Sequence, residues 1–281
     1  LNGRSDNQTF GVVAGDTYYI RVSVGSASLG SSTSGYTRYH YQLKASFGTE
    51  NYELEQNNSF SSAQSISAGS WYIGQWSGYN TEASGGYASG YAKDYYKVTA
   101  TANTMTVSLQ HVTANDYSDF SVNIYNSSQS LIDNFGAYNG VDNSIEFWGG
   151  VTSGQTYYIY VRSHEYLHSG QYKLKTSFST TSGNLELESN DTTGTAQTIT
   201  KDTTYTGERN GSSDSYDYYK ITAPTGKTTM TVLLSHVTDN ASGSNYSADV
   251  FHGDIVAYIS ALNGLSDNQT FGVIAGDTYY I

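Results

Sequence analysis

The chain has no cysteine among its 281 residues, which excludes disulfides, thiolate-held metals and thiol nucleophiles. Charged residues make up 14% of it and proline occurs once, where about 25% charged is usual for globular domains. Only 13 residues are Lys or Arg against 25 Asp or Glu, a net charge of −12, so the basic footprint of a nucleic-acid binder is missing. No apolar run approaches the ~20 residues of a membrane-spanning helix. What is abundant is glycine and tyrosine, 29 and 28 residues respectively. Such a chain fills its core thinly and draws on tyrosine for buried area. The acidic, Lys-poor, Ser/Thr/Asn-rich composition suggests a secreted or cell-surface protein. The start at Leu1, without a charged-then-apolar leader, suggests a mature or excised piece.

Internal repetition sets the organisation. Residues 262–281 repeat residues 1–20 at 18 of 20 positions, with a spacing of 261. A more divergent copy begins at Ala137. YQLKASF from Tyr41 recurs as YKLKTSF from Tyr172, ELEQNNS from Glu53 as ELESNDT from Glu186, and MTVSLQHVT from Met105 as MTVLLSHVT from Met230. The unit is therefore about 130 residues. Residues 1–48 are the back of one unit, 49–180 a whole one, and 181–281 the front of a third. The polar joints Gly48-Thr49-Glu50-Asn51 and Thr180-Thr181-Ser182-Gly183 are too short for floppy tethers.

Within a unit the apolar period is two. Met105, Val107 and Leu109 share a face, as do Tyr157, Ile159 and Val161, and Phe120, Val122 and Ile124. Short runs rich in β-branched and aromatic residues, separated by Gly/Ser/Asn/Asp turns, predict strands. The fold class expected is all-β: tandem antiparallel β-sandwiches of jelly-roll or immunoglobulin-like kind. At most, the stretch around Ala63 suggests a short turn of helix.

The order of motifs is distinctive. Glu55-Gln56-Asn57-Asn58-Ser59 and Glu188-Ser189-Asn190-Asp191-Thr192 open the units, followed by A-Q-x-I at Ala63 and Ala196. D-Y-Y-K strands at Asp94 and Asp217 come next, then M-T-V, G-x-T-Y-Y-I at Gly154, and G-x-Y-x-L-K at Gly170. This order resembles the bacterial pre-peptidase C-terminal (PPC) domain, a β-sandwich appended to secreted proteases and strung along surface proteins. The resemblance implies a non-catalytic secreted module used for spacing, adhesion or substrate contact.

His164-Glu165-Tyr166-Leu167-His168 spells the H-E-x-x-H of zinc proteases, but that chemistry needs both imidazoles on one helix face. Here the motif falls between two strand patterns, in the place of a hairpin loop, and accident is the better reading. His111 and His236 occupy one repeated, inward-phased position at a strand end and read as structural. No catalytic set emerges, so the chain is expected not to be an enzyme.

Calcium is the better candidate, since it accepts about six to eight oxygen ligands in loose geometry. Glu188, Asn190 and Asp191 cluster where the third unit opens, and Asp214 and Asp217 precede its D-Y-Y-K strand. The resemblance implies calcium binding by this opening segment, with Glu55, Asn57, Asn58 and Asp94 as the middle unit's matches. Asp191, where the middle unit has Asn58, favours the third unit. The competing reading is that Asn and Asp cap turns. Paired tyrosines, such as Tyr95-Tyr96 and Tyr157-Tyr158, put one ring outward, where it could stack on sugars or a neighbouring subunit.

The leading expectation is a structural segment of an extracellular tandem-repeat surface protein: a filament, stalk or adhesin shaft. Its partners are adjacent repeats or copies of itself, end to end. The alternative is a carbohydrate- or protein-binding module of a secreted hydrolase, contacting surface glycans or extracellular matrix. The third unit lacks a closing G-x-Y-x-L-K strand and is expected to be completed by sequence resembling residues 21–48. Covalent continuation is favoured over strands donated by another molecule.

Overall fold

The computed structural model describes residues 9–22, 43–76, 93–112, 119–138, 140–147, 150–163, 170–208, 216–236, 245–262 and 264–281. Among them every regular element is a β-strand, and no helix is long and apolar enough to cross a membrane. The second unit holds β1 (Gln64–Ser65), β2 (Trp71–Trp76), β3 (Asp94–Thr99), β4 (Thr104–His111), β5 (Phe120–Tyr125), β6 (Leu131–Ala137), β7 (Asn143–Phe147), β8 (Thr156–Ser163) and β9 (Gly170–Ser179). The third holds β10 (Asn184–Leu185), β11 (Gln197–Thr198), β12 (Tyr205–Thr206), β13 (Tyr219–Thr222), β14 (Thr229–Ser235), β15 (Tyr246–His252), β16 (Asp254–Ala261), β17 (Ser266–Gly272) and β18 (Thr278–Tyr280).

In the second unit one sheet runs β1-β3-β8-β5-β6 and the other β2-β9-β4-β7. The two close on one core in which Tyr96, Met105, Val107, Leu109, Phe120, Val122, Ile124, Ile159, Tyr172 and Leu174 are all fully buried. Alternating apolar residues dictate this: each strand turns every second side chain inward, so the two-residue period becomes one wall of a sandwich. The fold is a β-sandwich.

Three details depart from the sequence reading. The segment around Ala63 is a serine-stabilised turn, not helix. The Ser59 and Ser62 hydroxyls lie 2.8 Å apart and the Ser62 amide donates to the Ser59 carbonyl; serine side chains that bond nearby backbone compete with helix. The sheets are also not wholly antiparallel, because β1 pairs parallel with β3, β10 with β12, and β11 with β13. Finally, β8 and β9 form no hairpin. They lie in opposite sheets, because Tyr157, Ile159 and Val161 of one and Tyr172 and Leu174 of the other must bury in the same core from two sides. The H-E-x-x-H motif between them lies outside the described residues.

The third unit repeats the first sheet as β11-β13-β18-β15-β16. Among the described residues β14 and β17 pair in its second sheet, and β12 pairs with β10. Its core is correspondingly small, centred on Ala223, Val250, Ala257, Ile259 and Tyr279.

Each unit reuses one turn. Gly15, Gly154 and Gly276 take positive φ values of 94°, 86° and 91°, which glycine adopts without steric cost. The tyrosine three residues on folds back, so that Tyr18, Tyr157 and Tyr279 hydroxyls accept from the amides of Val13, Thr152 and Ile274 at 2.7, 2.9 and 2.9 Å.

Candidate metal centre

The opening segment of the second unit runs past β2 and then along β3. The Glu53 amide donates to the Ile73 carbonyl at 2.8 Å, and the Tyr95 amide to the Asn57 carbonyl at 2.9 Å. The Gln64 side chain accepts from the Leu54 amide at 2.8 Å. This pinning brings Glu53 and Glu55 beside Asp94 at the start of β3. Each contributes a carboxylate oxygen, and these lie within 4.8 Å of one another. Glu53 and Asp94 are buried, at 4% and 1% exposure, while Glu55 faces solvent.

Two fully buried tyrosines line the group. Tyr96 Oη donates to Glu53 Oε2 at 2.9 Å, Tyr172 Oη to Asp94 Oδ2 at 2.6 Å, and the two hydroxyls lie 2.8 Å apart. Burial, reinforced by the Glu53 charge on Tyr96 and the Asp94 charge on Tyr172, holds both phenols well above their ordinary 10.0, so they stay protonated. Burial first, then the Glu53 charge, also holds Asp94 well above its ordinary 3.8, and burial raises Glu55 above 4.5.

A second observation points to a cation. Asn57 is 1% exposed, yet neither its Oδ1 nor its Nδ2 has a hydrogen-bond partner among the described residues, and Asp94 Oδ1 is equally bare. A buried unpaired polar group costs about 1–3 kcal/mol, and two carboxylates buried together cost more. A hard divalent cation would answer the carboxylates. Glu53, Glu55 and Asp94 are the residues that would hold it, an oxygen set of the kind calcium takes, with the buried Asn57 in the same segment.

The third unit builds the same group. Glu186, Glu188 and Asp217 each bring a carboxylate oxygen within 4.8 Å of the others. Glu186 is fully buried and accepts from Asn190 Nδ2 at 2.8 Å, Tyr219 Oη at 3.0 Å and the Glu208 amide at 3.0 Å. Asn190 is also fully buried, and its Oδ1 has no partner among the described residues.

Of the residues singled out in the sequence, Glu55 and Asp94 come together, as do Glu188 and Asp217, and Asn57 and Asn190 are buried in the same segments. Asn58 is exposed and Asp191 half-buried; Asp191 is not one of the three clustered carboxylates. Asp214 lies outside the described residues. Glu53 and Glu186 complete the groups and were not singled out, although their recurrence at the first position of E-x-E in both copies is a visible signal. Two residues apart on an extended segment, such glutamates share a face.

The paired histidines do other work. The His236 Nδ1 accepts the Gly264 amide at 2.8 Å, and its ring lies 5.1 Å from that of Tyr246. The His111 ring packs 5.3 Å from Phe120 at the matching place.

The pH response of the metal-free chain follows from Asp94. Its folded-state pKa is raised, so between its ordinary 3.8 and the raised value unfolding lets the carboxylate ionise in water, which folding prevents. Stability is therefore highest below about 3.8, as far as this group is concerned, and is lost as pH rises through the folded value. With chelator present, the melting temperature of Asp94→Asn is expected to fall less than that of the parent as pH rises from below 3.8 towards neutrality. Parallel pH curves for the two proteins would contradict the assignment.

No protein-family model matches the chain, and neither does any curated protein sequence. Solved structures do. The pre-peptidase C-terminal domain of collagenase from Bacillus anthracis is 17% identical, over 41% of this chain and 94% of that one, with a TM-score of 0.30. The Yersinia pseudotuberculosis-derived mitogen is 12% identical, over 39% of this chain and 85% of that one, with a TM-score of 0.29.

Proposed function

We propose that the chain is a structural segment of an extracellular tandem-repeat surface protein, a shaft of PPC-like sandwiches whose joints are set by calcium. The observation that carries this reading is the repeated joint. The Gly150 amide of the second unit donates to the Glu186 carbonyl of the third. A methyl group on Gly150 would fall 2.8 Å from that carbonyl oxygen and 2.9 Å from Leu185 Cβ. Gly11 is the same position in the first unit, and its missing Cβ points at the carbonyl of Glu53, the residue that matches Glu186. At both joints the residue whose backbone meets the preceding unit is thus the residue whose side chain enters the carboxylate group. An ion held there would fix the segment that joins two sandwiches.

The second joint is tied again from the other side. Asn103 Nδ2 donates to the Thr181 carbonyl and the Thr181 amide donates to Asn103 Oδ1, both at 2.9 Å. Neighbouring sandwiches linked this way form a semi-rigid string, which suits a protein whose task is reach. No catalytic step is part of this reading.

The tyrosines support the structural reading as well. On the outer face of the second unit Tyr95 stacks on Tyr160 at 4.7 Å, and Phe60 packs on Tyr95, Tyr125 and Tyr158 at 4.8, 5.1 and 5.3 Å. These rings spend much of their surface on one another. The same patch is what favours the second reading, a glycan- or matrix-binding module, and saturable binding on a glycan array lost in Tyr95→Ala would establish it.

Small-angle scattering with and without calcium tests the shaft. An extended, calcium-stiffened particle is expected; scattering from freely jointed units under both conditions would end the proposal. Gly150→Val is expected to loosen the second joint, since its side chain meets backbone at a distance real contacts do not show. Faster cleavage between residues 180 and 183 by a nonspecific protease is the readout.

A further inference from the structure

We propose that Tyr95 and Tyr160 are a site of oxidative cross-linking, joined ring to ring as dityrosine by a peroxidase-class oxidant, so that β3 is stapled to β8. The two residues face each other across the antiparallel β3–β8 ladder. Direct cross-strand partners start from Cβ atoms about 5 Å apart and leave the sheet on the same side, so their hydroxyl ends lie together. The rings are stacked, with centroids 4.7 Å apart and planes inclined by 15°. Carbon atoms in contact sit about 3.5–4.0 Å apart, so the rings are slid past one another and meet edge over edge.

Radical coupling needs this geometry. A phenol that loses one electron and its hydroxyl proton becomes a phenoxyl radical, with unpaired density on the ring carbons beside the oxygen. When two such radicals lie face to face, one of these carbons on each ring forms the new carbon–carbon bond. The hydrogens those carbons carried then move to the oxygens, which restores both aromatic rings. Two phenols and one hydrogen peroxide thus give one biphenol and two waters, the peroxide taking up both electrons and both protons. Burial, then the neighbouring Tyr95 phenol, pushes Tyr160 up to about 12, and burial raises Tyr95. Both therefore enter as neutral phenols, from which electron and proton leave together. Each ring is only half-buried and open to an oxidant.

The surrounding tyrosines are placed differently. Tyr125 and Tyr158 also face each other across strands, from β5 and β8. Phe60 meets both edge-on, at 5.1 and 5.3 Å with planes at 88°, and they make no ring contact with each other among the described residues. Having no hydroxyl, Phe60 does not couple. Tyr96 and Tyr172, whose hydroxyls lie 2.8 Å apart, are fully buried and out of an oxidant's reach. The fold does not itself demand the stack, since Arg21 stands at the place of Tyr160 in the first unit's T-Y-Y-I pattern. The staple would link residues 65 apart in sequence, in a chain that has no cysteine. It would constrain the unfolded chain as a disulfide does, and it does not depend on the shaft reading.

Treating the 281-residue chain at high dilution with a peroxidase and hydrogen peroxide, then isolating the monomer by size, tests this. The monomer is expected to lose two hydrogens in intact mass, to gain dityrosine fluorescence, and to yield on digestion peptides joined at Tyr95 and Tyr160. Its second unit is expected to melt roughly 10–20 °C higher. Tyr160→Phe and Tyr95→Phe each abolish the fluorescence, whereas Tyr125→Phe retains it. These rings lie on the outer face, so the Phe variants keep their fold, which circular dichroism confirms. A monomer without the link overturns the proposal, as does a link that survives both Phe variants or forms as readily between Tyr125 and Tyr158. A linked monomer that melts like the untreated chain overturns the stapling.

Discussion

Calcium added to the metal-free chain is expected to raise its melting temperature by about 10 °C, and Asp94→Asn to abolish the second unit's share of that rise. The size follows from linkage. A ligand bound only by the native state at a hundredfold excess over Kd contributes about 2.7 kcal/mol, and in a unit of about 130 residues each kcal/mol moves the melting temperature by roughly 3–6 °C. The sign of the variant's effect is what makes the test specific. Without metal, Asp94 is a buried carboxylate held well above its ordinary range by burial and the Glu53 charge. Asn keeps an oxygen to accept the Tyr172 hydroxyl, which lies 2.6 Å from Asp94 Oδ2, and removes the charge. Asp94→Asn should therefore be more stable than the parent in chelator and less stable in calcium. Glu186→Gln is the matching test in the third unit. Melting curves that coincide in chelator and in calcium would remove the ion from both sites and leave the joints to packing alone.

Leu174→Ala is expected to cost the second unit about 3 kcal/mol, with a comparable fall in its melting temperature. Leu174 is completely buried at the centre of β9, opposite Leu109 on one side and Tyr72 on the other. Truncating a buried leucine loses its transfer free energy and leaves a cavity, together about 2–5 kcal/mol. The cavity here opens between two paired strands, where neighbours held by ladder hydrogen bonds relax little. Leu43→Ala, the same substitution in the matching sequence of the first unit, is expected to leave the stability of this 281-residue chain unchanged, because Leu43 is 58% exposed. Equal losses from the two substitutions, measured by denaturant unfolding, would mean that residues 43–47 are buried within the single chain.

Much of this protein is written locally. The alternation of Met105, Val107 and Leu109 with Thr106, Ser108 and Gln110 specifies a face, because a strand turns successive side chains to opposite sides whatever it pairs with. The same holds for Phe120, Val122 and Ile124, and the repetition at 261 residues is readable without any structure. The carboxylates of Glu55, Asp94, Glu188 and Asp217 were likewise legible as candidate oxygen ligands at repeated positions, and the structure brings them together in pairs.

Pairing partners were not legible, since alternation says which side chains go inward and nothing about which strand lies alongside. β8 and β9 are neighbours in sequence and belong to opposite sheets, and the parallel contact of β1 with β3 spans a connection that no local pattern marks. Glu53 was seen to recur, but its role became visible only when the parallel run of the opening segment brought it beside Asp94 and under the Tyr96 hydroxyl. The sequence by itself determined that the chain is a string of β-sandwich repeats with acidic openings. Only the tertiary structure decided that β8 and β9 lie in opposite sheets and that Glu53 joins Asp94, because strand order is settled by how two sheets close on one core, and that closure is made by residues far apart in the chain.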